Sequence, residues 1–234
     1  MSNASVLQSP FKHIGKCKKL VYDKKLAMSV IFKAAEAYEK NLRNNNLLFI
    51  CSDKHKQISY LEVEFNASNF MHLTGVKISK NFKQKLNSSE KCANKFYEMC
   101  LNKRLSPNDF YFAEDGTTTL KLDVLPTLMK KNLSANAIGE FGVRTVKLYT
   151  EKIAGSIKGC MGFVHDDKVN KNVPNTVLKT DIRDSATKIK RILITYRKKK
   201  TDMSYCEIVY AAKNVDWNTV EFPEEYKYLN KPDN

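Results

Sequence analysis

The chain has 234 residues, 42% of them hydrophobic, with 40 Lys or Arg against 25 Asp or Glu, a formal charge of +15 and a pI ≈ 9.4. This length fits one large domain or two small ones, the apolar share supports a packed core and excludes global disorder, and 8 Gly and 6 Pro leave little room for long linkers. So large an excess of cations attracts polyanions, RNA or DNA ahead of an anionic membrane, although a basic surface can also serve solubility alone.

Residues 5–22 are basic and poorly periodic and read as an extension. In 24–44, Leu26, Val30, Ala34, Ala37 and Tyr38 recur at helical spacing, with Asp23 as cap and Asn44, Asn45 and Asn46 as the stop. The apolar run 47–51 and the alternating run 58–65, joined by a polar turn, predict a hairpin. Asn66, Ser68 and Asn69 then cap a helical turn that begins at Phe70 and bends or ends at Gly75. Ser88 or Ser89 caps a helix running to Arg104, with Cys92, Phe96, Met99 and Cys100 on its face. Asp115 and Gly116 make a tight turn, and 120–133 is helical despite Pro126. Beyond 135 the period changes to two, over 143–150, 156–164, 189–197 and 204–211. Four strands joined by turns predict an antiparallel sheet, so the fold class is α+β: N-terminal helices and a small hairpin packed with a C-terminal sheet of about four strands. The tail after Lys213 holds the only tryptophan, Trp217, and then acidic residues, which suits a packed cap.

No run of about 18 apolar residues is present, so no membrane partner is expected. The six cysteines, Cys17, Cys51, Cys92, Cys100, Cys160 and Cys206, are dispersed, without CxxC or finger spacing, and read as small buried apolar residues in a reducing cytoplasm, the protein's own or a host's. There is no Walker loop, GxGxxG, HExxH or GxSxG. Asp166–Asp167 and Glu224–Glu225 are neighbours that point apart in extended chain, so no two-metal acidic cluster stands out, and no metal or cofactor is expected.

The residues that could carry chemistry fall in three places. In 69–77, His72 can move protons near neutral pH, Thr74 can orient a phosphate and Lys77 can neutralise it. A histidine between Met71 and Leu73 equally suits packing. In 173–181, Pro174 fixes a bend, Asn175 and Thr176 offer polar groups and Lys179 follows, which suits a phosphate loop or an ordinary loop entering a strand. In 183–200, Thr187, Lys188, Lys190, Arg191 and Lys198 form either a solvated basic edge or a rail for a nucleic-acid backbone. Tyrosines 149, 196, 205 and 210 are core residues or base-stacking rings.

Three blocks together, Asn69-Phe70-Met71-His72-Leu73-Thr74-Gly75-Val76, Gly159-Cys160-Met161-Gly162-Phe163 and Val173-Pro174-Asn175-Thr176-Val177-Leu178-Lys179-Thr180-Asp181, resemble a phage- and mobile-element-associated branch of the barnase–EndoU–colicin–RelE (BECR) nuclease superfamily. The resemblance covers roughly 25–212. It implies helices packed on a four-stranded antiparallel sheet and metal-independent RNA cleavage, often as a toxin or phage effector. His72, Thr74, Asn175 and Thr176 fall on its motif positions, and His165 is the candidate second histidine, with Asp166 and Asp167 beside it suiting a plain turn. The expected division is a basic extension 1–22, one nuclease-like domain 23–213 and a tail 214–234. The expected function is an endoribonuclease with His72, Thr74, Thr176 and Lys179 in the reaction. Lys77, Asn175, Thr187, Lys188, Lys190, Arg191 and Lys198 would bind nucleic acid, RNA above all. A cognate antitoxin or host protein would be a further partner. The rival is a non-catalytic nucleic-acid-binding or inhibitor protein on a nuclease-like fold.

Overall fold

The computed structural model describes residues 22–142 and 149–232. The extension 1–21 and most of the alternating run 143–150 lie outside the described residues, as does Cys17.

Helix α1 (Lys24–Asn41) starts where the Asp23 carboxylate accepts the Leu26 N–H at 2.7 Å, and it buries Ala27, Ile31, Ala34, Ala35 and Tyr38. The Tyr38 hydroxyl donates to the Asn66 carbonyl at 2.8 Å, which ties this helix to the start of the next. Strands β1 (Asn45–Ser52) and β2 (Ile58–Glu64) form the antiparallel hairpin, with Phe49 opposite Leu61. Helix α2 (Ala67–Thr74) follows at once. The Asn69 side-chain oxygen accepts the Asn66 N–H at 2.9 Å, and Gly75 at φ 71° closes the helix in the left-handed conformation open to glycine. Two short pieces, β3 (Lys77–Ile78) and α3 (Lys80–Lys83), lead to α4 (Cys92–Leu101), β4 (Phe110–Tyr111), which pairs with β3, and α5 (Thr117–Leu128).

The remaining strands are β5 (Ala137–Phe141), β6 (Lys152–Ser156), β7 (Gly159–Asp166), β8 (Lys171–Leu178), β9 (Ala186–Lys199) and β10 (Glu207–Ala211), with the short helix α6 (Ile182–Ser185) before β9. They join the hairpin in one eight-stranded sheet of order β1-β2-β8-β7-β6-β5-β9-β10, and β9 also pairs with β1, so the hydrogen bonding returns on itself. The sheet is mixed, because β2 and β8 meet in parallel at Val63 and Asn172.

Alternation along the strands sorts side chains to two faces. Leu47, Phe49 and Cys51 of β1, Met161 and Phe163 of β7, Val177 of β8 and Ile192 of β9 share one core with α1, α2, α4 and α5. On the other face, Leu48, Ile50 and Tyr196 pack under Trp217, Val220, Phe222 and Leu229 of the tail, while Ile153 and Cys160 pack under Ile182 of α6.

The structure corrects the expected four-stranded antiparallel sheet. The 47–65 hairpin is part of the main sheet, because β1 is buried over six consecutive residues and needs cover on both faces. Strand β8 also runs through Pro174, which the loop reading of 173–181 placed at a bend. Gly162 pairs with Thr176 and Phe163 with Pro174, so Asn175 is an extra residue in a bulge that absorbs the proline. Of the cationic stretch of β9, Arg191 to Arg197 lies between β1 on one side and β5 and β10 on the other, whereas 186–190 pairs with β5 alone among the described residues. The expected 88–104 helix is shorter, starting at Cys92 after Lys91 without a side-chain cap. The expected 120–133 helix starts earlier and ends at Leu128, two residues after Pro126, which has no N–H to donate and interrupts the i→i−4 ladder.

A buried carboxylate fixes the segment between α3 and β4. Asp109 is fully buried and accepts from the Lys85 ammonium at 2.6 Å, the Asn81 amide at 2.8 Å and the Ser106 N–H at 2.8 Å. Burial alone would raise its pKa, yet Lys85 and Ser106 hold it below the usual carboxylate value. Asp109→Ala leaves three donors without their acceptor and is expected to cost about 2–3 kcal/mol at pH 7. A thermal melt should show Tm lower by about 4–12 °C. Because the folded carboxyl is the stronger acid, its stabilisation is complete above the unfolded pKa of about 3.9 and is lost as pH falls below it. The gap between variant and wild type should therefore close in acid; a gap unchanged at pH 3 would show that the ionised carboxylate is not what holds this segment.

Candidate nucleic-acid interface

His72 lies on the last turn of α2, exposed, above the Gly75 bend. Helix α5 supplies its neighbour: the Lys121 ammonium donates to the His72 carbonyl at 3.1 Å. The absence of a side chain at Gly75 makes room for this, since a Cβ there would stand 2.6 Å from Lys121 Cδ. Lys77, exposed on β3, completes a cationic group. Its effect is visible in the titration of both partners. His72 is shifted below the ordinary histidine value, first by desolvation and then by Lys121 and Lys77. Lys121 is lowered to about 8, first by burial and then by Lys77, with Asp115 opposing. Near neutral pH the imidazole is therefore uncharged and able to take a proton, and the ammonium beside it is an unusually willing donor.

Thr74 is fully buried, and its hydroxyl donates to the Met71 carbonyl at 2.7 Å. That places it inside the α2 cap rather than at the surface beside His72. Thr176 is also fully buried, and it faces away from the helices: its partner Gly162 lies between Met161 and Phe163, which both point into the helix-side core. Thr176 Cγ2 stands 2.7 Å from where a Gly162 Cβ would be, so this spot is closely packed. Asn175 in the bulge is partly exposed; its amide donates to the Tyr149 carbonyl and its oxygen accepts from Thr150 at 3.2 Å. Lys179 is exposed and pairs with Asp123 of α5 at 2.6 Å. Lys121 and Asp123 are two residues apart on α5, so their side chains leave the helix about 200° apart. His72 and Lys179 thus meet opposite sides of α5, and His72 and Thr176 lie on opposite sides of the sheet.

The β9 residues divide similarly. Lys188 pairs with Glu140 at 3.0 Å, beside an exposed Thr187. Lys190 turns to the helix side and donates to Ser59 at 2.8 Å. Arg191 points the other way, donates to the Lys213 carbonyl at 2.6 Å and lines a surface groove. Lys198 lies 4.8 Å from the Tyr205 ring, over a polar cluster in which Glu62 accepts from Tyr205 at 2.6 Å and pairs with Lys171 at 3.1 Å. His165 lies near the end of β7, opposite Asn172 of β8 and 3.6 Å from Asp167 of the following turn. Among the described residues no group of three His, Cys, Asp or Glu is placed to hold a metal ion, and no helix is long and apolar enough to cross a membrane.

Sequence reading singled out His72 and Lys77 and not Lys121. It sits at an ordinary helical position, and only the packing of α5 against the glycine bend brings it to the histidine.

These features combine a histidine with a lowered pKa, two ammonium groups and a helix layer on a mixed sheet, in a chain of strong positive charge. No curated protein and no solved structure matches the chain significantly. A family model does, that of the phage-Barnase-EndoU-ColicinE5/D-RelE like nuclease 4, over residues 30–214, from within α1 to just past β10, and the chain belongs to this family of BECR-like nucleases.

Proposed function

We propose that the protein is a metal-independent endoribonuclease of a phage or mobile element, with its proton chemistry at the seam of α2 and α5. The observation that carries this is the His72, Lys77 and Lys121 group, an uncharged imidazole held among ammonium groups on an exposed helix end. In the reaction, His72 takes the proton of the RNA 2′-hydroxyl and the 2′-oxygen attacks phosphorus. Lys77 balances the negative charge that gathers on the phosphoryl oxygens. The bond to the 5′-oxygen breaks, and the Lys121 ammonium gives that oxygen a proton. The products are a 2′,3′-cyclic phosphate and a 5′-hydroxyl, with His72 charged and Lys121 neutral until solvent restores both.

The geometry moves the roles away from some expected residues. Thr74 supports the turn that presents His72. Thr176, Lys179 and Lys190 are engaged elsewhere, so the lysines of the proposed reaction are Lys77 and Lys121 in place of Lys179. One observation favours the rival of a non-catalytic nucleic-acid-binding protein: the two motif threonines are fully buried, and Lys179 is held in an ion pair. Strong RNA binding without cleavage under any condition would establish that rival.

With a mixed RNA pool in EDTA, His72→Ala is expected to slow cleavage about 10²–10⁴-fold, the range for losing a general base. Lys121→Met should also be slow. Equal rates for wild type and His72→Ala would remove the histidine from the reaction, and loss of wild-type cleavage in EDTA would end the metal-independent reading.

The pH profile has a defined sign. Cleavage should rise with pH as His72 loses its proton, with a midpoint below 6.5, and fall above about 8 as Lys121 loses its own. An NMR titration of the His72 ring should give the same low midpoint, and Lys77→Met should move it upward by removing a like charge. A midpoint above 6.5, or one indifferent to Lys77, would contradict the electrostatic account of the site.

A further inference from the structure

On the face of the sheet away from His72, β5 and β10 run end to end along one side of β9, and a groove of about 720 Å³ opens near their junction. Its volume is within the range of small-ligand sites. Arg191 of β9, Lys213 after β10 and Arg183 of α6 bring three cations to it. Asp181 is the carboxylate in the lining, and Arg183 already covers it through two nitrogens at 3.0 and 2.6 Å. Arg191 and Lys213 keep their charge, because the contact that joins them runs from the guanidinium to a main-chain oxygen, 2.6 Å away. The rest of the lining is Asn136 and apolar side chains. Ile157, in the β6–β7 turn, is 67% exposed, and Ile189 is 39% exposed. Two large aliphatic side chains in solvent beside Arg and Lys suit an occupant with an apolar face and a negative charge.

We propose that this groove is a second nucleic-acid site, which takes an unpaired nucleotide of a single strand. The base lies against Ile157 and Ile189, and the adjoining phosphate meets Arg191 and Lys213. A single strand can turn a base into such a groove, whereas a duplex keeps its bases stacked inside and offers phosphate alone. The site anchors an RNA away from the reacting bond, so it goes beyond the proposed cleavage and rests on that reading only for the identity of the polymer.

The test uses the full chain and a fluorescent 12-nucleotide 2′-O-methyl RNA, which lacks the attacking hydroxyl, so that binding is read without cleavage. Two exposed positions are changed, Lys213→Glu and Ile157→Asp. The Lys213 main-chain oxygen that holds Arg191 survives the first. Fluorescence anisotropy should show Kd raised about tenfold by each. The slope of log K against log salt should flatten by about 0.7 for Lys213→Glu, one phosphate contact on a single strand, and stay the same for Ile157→Asp. Lys213→Arg should bind like wild type, and unchanged melting curves should show that all three variants fold. Unchanged Kd in both changed variants would overturn the proposal. So would equal affinity for a duplex of the same sequence, or full displacement of the RNA by an acidic, leucine-rich peptide. A wild type that binds the strand with these dependences but cleaves no RNA would reject the nuclease reading and leave the groove standing.

Discussion

Strand β9 has a partner along its whole length and one on each side from Arg191 to Arg197, and the arrangement of the molecule follows from that. Its 14 residues take β1 on one side and, in succession, β5 and β10 on the other. Through β1 it draws the early hairpin into the late sheet, and through β5 it reaches β6, β7 and β8, which returns to the hairpin by the parallel contact with β2. Residues 192–196 are buried because the helices cover one face there and the tail covers the other. Leu193 is the extra residue in its pairing with β1, where Ile50 faces Ile194 and Cys51 faces Ile192. This bulge shifts the alternation, so that Ile192 joins the helix-side core while Leu193 and Ile194 both pack with the tail.

The same alternation decides which candidate residues can work together. A sheet residue serves one face only, and the helices cover one face. His72 belongs to the helix layer, so its partners come from helices and from the short β3, as Lys121 and Lys77 do. Thr176 and Arg191 belong to the opposite face. A mechanism that puts His72 and Thr176 on one phosphate would have to reach through the sheet. The two motif blocks at 69–76 and 173–181 therefore hold the fold together at different places, one by turning α2 at Gly75 and one by bulging β8 at Asn175.

Much of the local structure was legible in the sequence because it is written in local chemistry. Asp23 caps α1, the 58–65 alternation gives β2, and Gly75 ends α2, each by a rule that spans a few residues. The missing strands carry signals that point elsewhere. Strand β5 has only five residues, Ala-Ile-Gly-Glu-Phe, and β8 contains Pro174 and Asn175, residues of turns. Their membership depends on neighbours distant in sequence. The site was half legible for the same reason. His72 and Lys77 lie in one segment, but Lys121 comes from 49 residues away, placed by a helix packing against a glycine that no side chain obstructs.

The charge of +15 becomes more specific once the pairing of the cations is known. Lys85, Lys171, Lys179, Lys188, Arg197 and Lys200 each meet a carboxylate, and an anion approaching them meets the carboxylate too. Lys121 and Arg191 instead donate to main-chain carbonyls, which satisfy hydrogen bonds without cancelling charge. A cation held this way is fixed in place and keeps its long-range attraction, the combination that a phosphate site needs. Lys121 stands beside His72, and Arg191 beside exposed aliphatic chains. The first setting suits chemistry on a phosphodiester and the second suits holding a base. The two lie on opposite faces of the sheet, so under the proposed function the part of an RNA that is held is separate from the part that reacts.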